Sequence, residues 1–142
     1  MTRSERMKPV SRIAESRERD AAQAMAATRE KLNQEEARHR ELTGYRDDYA
    51  KRFENAGRKG LEADKIADYR RMITQLNEAL TWQDRRVEAA RADYERDREA
   101  WIMTRQRVDV LDKATERFRT EERRDADRRD RHTLLLVMNA IG

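Results

Sequence analysis

With 142 residues the chain is long enough for one domain, yet Leu, Ile, Val and Phe supply only about 15% of it, too little for an ordinary packed globule of this size. Charged residues make up 44%, but 33 Lys and Arg nearly cancel 29 Asp and Glu to leave a net charge of +4, so the disorder expected of a one-signed chain is disfavoured. Ala, Glu, Lys, Leu and Arg together supply more than half of the residues, which points away from a compact enzyme with a buried pocket and towards a coiled-coil rod, and the absence of Cys excludes disulfides, thiolate nucleophiles and cysteine metal sites.

Residues Met1 to Val10 carry charges and no apolar core segment, so they do not read as a secretory signal. Pro9 is expected to precede the first long helix, at about 10–54. Its apolar stripe is thin at the start and strengthens later: Ala14, Glu18, Ala21, Met25, Thr28, Leu32, Glu35, His39, Leu42, Arg46, Tyr49, Phe53. Gly44 lies inside this periodic stretch, where it costs about 1 kcal/mol relative to Ala. Residues 55–61, with Gly57 and Gly60, form the one interior turn signal and predict a short loop, which favours antiparallel neighbours.

The second helix is expected at about 62–131. Alternating steps of three and four link Ile66, Tyr69, Ile73, Leu76, Leu80, Gln83, Val87, Ala90, Tyr94, Asp97, Trp101, Thr104, Val108, Leu111, Thr115 and Phe118, most of them apolar. The mean step is 3.5 residues rather than 3.6, and a straight helix drifts about 20° per heptad from such a stripe, so a left-handed supercoil is implied. Folding at the loop sets Phe53 against Ile66, Tyr49 against Tyr69, Leu42 against Leu76, Leu32 against Val87 and Met25 against Tyr94, large residues meeting large ones. The fold class is thus all-α: one domain over 1–142, a long antiparallel two-helix coiled coil whose second helix overhangs beyond Phe118. A tail at 132–142 carries the apolar run Leu134 to Met138 and then Ile141, which needs a partner. That run of five is far below the 18 or so residues that span a bilayer, so a soluble, cytoplasmic protein is the simplest expectation.

Catalytic constellations are absent. His39 and His132 lie far apart without a ligand set, and the glycines at 57 and 60 lack the spacing of a phosphate loop, so no enzyme activity, metal or cofactor is expected. A pI near 9.6 raises nucleic-acid binding as the rival from another class, but nearly all of the basic pairs, such as Arg123-Arg124 and Arg128-Arg129, are flanked by acids and read as a solvated exterior. The segment 66–83 carries a second stripe, Met72, Leu76, Ala79 and Gln83, rotated to one flank of the seam, with Trp82 on the outer surface. Coiled coils usually place charges there. This flank is either a shield for the seam or a docking face with Trp82 as an anchor.

Leu42-Thr43-Gly44-Tyr45-Arg46-Asp47-Asp48-Tyr49, Gly60-Leu61, the run Tyr69 to Leu80, Gln83 and Trp101, in this order and spacing, resemble the FliJ family of the flagellar type III export apparatus over about residues 10–120. The resemblance implies a stalk-like, non-enzymatic hairpin that binds the hexameric export ATPase, promotes its ring assembly, couples it to the membrane export gate and escorts export chaperones, peripherally at the cytoplasmic face of the inner membrane. It places export-gate binding at Met72, Leu76, Ala79 and Gln83, beside Trp82, and ATPase binding at the open ends of both arms. The equivalent stalk of a virulence secretion system is the nearest alternative. No nucleic acid and no direct membrane insertion are implied.

Overall fold

A computed structural model describes all residues, 1–142, and consists of two α-helices with no strand: α1, Arg3–Arg58, and α2, Ala63–Ile141. They contain 56 and 79 residues. The helices pack antiparallel as a hairpin. Every seam position anticipated in both arms is buried or half-buried, from Ala14 to Phe53 and from Ile66 to Phe118.

Contacts along the hairpin group into two compact units. One comprises Met1–Ala22 with Glu99–Gly142, the other Gln23–Arg98. In the first, Ala14, Val108 and Leu111 form a small core with Met7 packed on it. The Trp101 indole N–H donates to Glu18 Oε1 at 2.9 Å, so the acid at this seam position is paired rather than stranded. In the second, Leu32, Val87 and Ala90 form the core and Tyr94 closes it. Nearer the turn the core is aromatic, the Tyr69 ring lying 5.2 Å from Tyr49 and 5.6 Å from Phe53, both tilted.

The turn follows from Gly60. Lys59 N–H donates to Ala56 O and Gly60 N–H to Gly57 O, tightening the last turn of α1. Gly60 then takes φ +83°, a left-handed conformation that glycine reaches without Cβ strain. Glu62 O accepts from Lys65 and Ile66 to open α2.

The helix ends differ from the expected bounds. α1 begins at Arg3, not near residue 10, and runs through Pro9. A capping box offsets the proline: Glu5 N–H donates to Thr2 Oγ1 at 3.2 Å, and Thr2 N–H donates to Glu5 Oε2 at 3.1 Å. A second cap comes from α2, where Glu122 accepts the Ser4 N–H at 3.0 Å and the Ser4 hydroxyl at 2.7 Å. These bonds hold the Glu122 carboxyl below the usual range. Pairing of the arms therefore continues past Phe118 to Glu122. The seam extends backwards through Ser11, Met7 and Ser4, where serines hid the stripe from a count of apolar residues. At the other end, residues 132–141 continue α2 rather than forming a separate tail. The change there is from charged to apolar side chains, both helix-compatible, and no Gly or Pro intervenes before Gly142.

Candidate functional site

The flank chosen from sequence is split by the structure according to depth. Met72 is exposed, Leu76 and Ala79 are half-buried, Trp82 is 65% exposed, and Gln83 is buried at 3%. The Arg85 guanidinium lies 5.1 Å over the Trp82 ring, one turn along the same helix, and steadies an indole that otherwise faces water.

Gln83 faces inward. Its side-chain amide donates to the Glu35 backbone carbonyl at 2.9 Å and to Glu35 Oε2 at 2.6 Å. Arg86 adds two N–H bonds to the same carboxylate, at 3.1 and 3.2 Å, and Lys31 Nζ approaches to 3.0 Å. Arg86 above all, with Lys31 and Gln83, holds the Glu35 carboxyl down to about 2 against the opposing effect of burial. Glu35 is 5% exposed, so a charge in the seam is fully partnered. Gln83 thus supports the flank from beneath, with its amide N–H groups directed at Glu35 rather than outward.

The first helix supplies residues that the stripe on α2 did not include. Tyr45, Asp48, Tyr49 and Arg52 line, with Met72 and Leu76, a shallow groove of about 340 Å³. Tyr45 is 62% exposed. The signal in the sequence was an aromatic at a position adjacent to the seam residue Arg46, just as Trp82 is adjacent to Gln83. On the opposite side of residue chemistry, His39 Nε2 lies 2.6 Å from Asp84 Oδ1 across the helices, an exposed interhelical pair. No group of three or more His, Asp or Glu side chains converges as metal ligands would.

The fold is thus an antiparallel helical hairpin that has shallow grooves and leaves aromatic and apolar side chains, among them Tyr45, Met72 and Trp82, exposed. The chain matches the family model described as flagellar FliJ protein over residues 3–134 and belongs to the FliJ family. The family is one of non-enzymatic flagellar export components, which serve protein transport. No curated protein and no solved structure matches the chain. No helix is long and apolar enough to cross a membrane.

Proposed function

We propose that this chain is the stalk of the flagellar export ATPase: it binds the hexamer through the open ends of its arms, promotes ring assembly and hydrolysis, couples the ring to the membrane export gate, and escorts export chaperones. It would act at the cytoplasmic face of the inner membrane as one coiled-coil domain without inserting into the bilayer. Family membership over 3–134 carries the reading. The flank supports its gate-binding part, because Met72 in the Tyr45 groove and Trp82 farther along α2 leave apolar surface in water, where a coiled coil without a partner favours charges. Met72, Leu76, Ala79 and Trp82 would contact the gate, with Gln83 holding their helix in register.

Two measurements test it. Mixed with the export ATPase, the protein should raise hydrolysis several-fold, and no stimulation at micromolar concentration would count against the stalk role. Met72→Asp and Ala79→Asp should weaken binding to the gate's cytoplasmic fragment at least about ten-fold, a cost of roughly 1.4 kcal/mol, with unchanged circular dichroism. Undiminished binding would remove the flank from the gate interface.

A further inference from the structure

Val10, Ile13 and Met103 are 41%, 55% and 68% exposed, and all three line one groove of about 390 Å³ between α1 and α2. The buried side chains of Ala14 and Leu111 give it an apolar floor. Arg17 and Arg107 complete the walls, and no acid lines the groove. Neither arginine makes an ion pair, a hydrogen bond or a ring contact, whereas nearby Arg105 pairs with Asp109 at 3.4 Å and Arg96 with Asp93 at 3.4 Å. The spacing places each wall on one helix face: Val10, Ile13 and Arg17 step by three and four, as do Met103, Arg107 and Leu111 by four and four.

A slot between two helices with an apolar floor and rims of free positive charge fits a third helix of defined chemistry. From these observations we propose that the groove docks an acidic amphipathic helix of a partner protein. The partner's apolar stripe would cover Val10, Ile13 and Met103, and Glu or Asp beside that stripe would pair with Arg17 and Arg107. Desolvation by the incoming helix strengthens those pairs and gives the groove its preference for sign. A second copy of the chain fits less well, since it carries net charge +4 and its own acids are interleaved with arginines. The proposal does not rest on the gate-binding reading, which uses other residues.

The test uses the full chain and two fluorescent synthetic helices that share one Leu stripe and carry either Glu or Lys beside it, with binding read by anisotropy. The Glu probe should bind at least about ten-fold tighter than the Lys probe, and Arg17→Glu with Arg107→Glu should reverse the order. Ile13→Ser with Met103→Ser should weaken the Glu probe about ten-fold while circular dichroism and binding of the gate fragment stay unchanged. Equal binding of the two probes, or indifference to the charge reversal, would overturn the proposal. So would self-association in sedimentation that the Ile13→Ser, Met103→Ser variant abolishes, because the groove would then be an interface between copies.

Discussion

Glu35 and Gln83 face each other inside a seam only one helix wide, where a leucine pair would bury more apolar surface. Their value lies in geometry. The Gln83 amide reaches both the backbone carbonyl and the carboxylate of Glu35, and a shift of either helix by one turn would break both bonds. Gln83→Ala leaves the Glu35 carboxylate short of its buried donor and should cost about 1–3 kcal/mol in chemical unfolding. The titration has a definite sign. The Glu35 carboxyl sits at about 2 in the folded chain against 4.5 for the ordinary group, so its contribution is complete above about pH 4.5 and is lost as pH falls towards 2. Much of the Arg86 and Lys31 surface stays in water, which screens their share. Melting of Glu35→Gln beside the unmodified chain should therefore differ most at neutral pH, with the gap closing between about pH 4.5 and 2. Because all other carboxylates titrate in both proteins, a gap that persisted at pH 2 would assign the difference to packing rather than charge.

Along α1, local chemistry and seam packing compete at two residues. Pro9 should end a helix, yet the Thr2–Glu5 box and the Glu122 cap on Ser4 hold the first turn in place from both sides. The box is local, Thr2-Arg3-Ser4-Glu5, whereas the expected start near residue 10 rested on Pro9 alone. Glu122 could not be foreseen, being a contact between residues 118 positions apart. By contrast, every position that the 3.5-residue stripe of α2 assigned to the seam, from Ile66 to Phe118, is buried or half-buried, because thin coiled coils bury little besides the stripe. The same pattern placed Gln83 in the seam, where it is buried, but not the bonds that its amide makes to Glu35 across the helices. Gly44 offers a test of how much pure propensity matters here. A Cβ at that position meets nothing within 4 Å, and the backbone is helical. Gly44→Ala should stabilise the hairpin by up to about 1 kcal/mol, read from chemical unfolding. A loss of stability instead would mean that α1 needs a bend there.

The hairpin as a whole distributes its stability unevenly, because burial does. Leu32, Val87 and Ala90, and likewise Ala14, Val108 and Leu111, have partners on the facing helix, while every residue from 127 to 142 is exposed. A helix without tertiary contacts is marginal in water at this length. Leu134 to Met138 are five consecutive residues, about 100° apart around the axis, so their exposed surface, 48% to 59% each, faces all directions. A single neighbouring helix would cover only part of it, and full cover requires a partner that surrounds the segment. Hydrogen exchange on the isolated protein should accordingly find the amides of 128–141 opening with a free energy near zero, and those around Leu32, Val87 and Leu111 opening with the greatest. Removing residues 134–142 should shift the unfolding free energy by no more than about 0.5 kcal/mol, since groups that touch nothing stabilise nothing. Strong protection of 128–141 in the isolated chain would mean that the apolar residues are already covered, either by self-association or by folding back. Protection that arises only when the export ATPase is added would identify this segment as part of what the ring encloses.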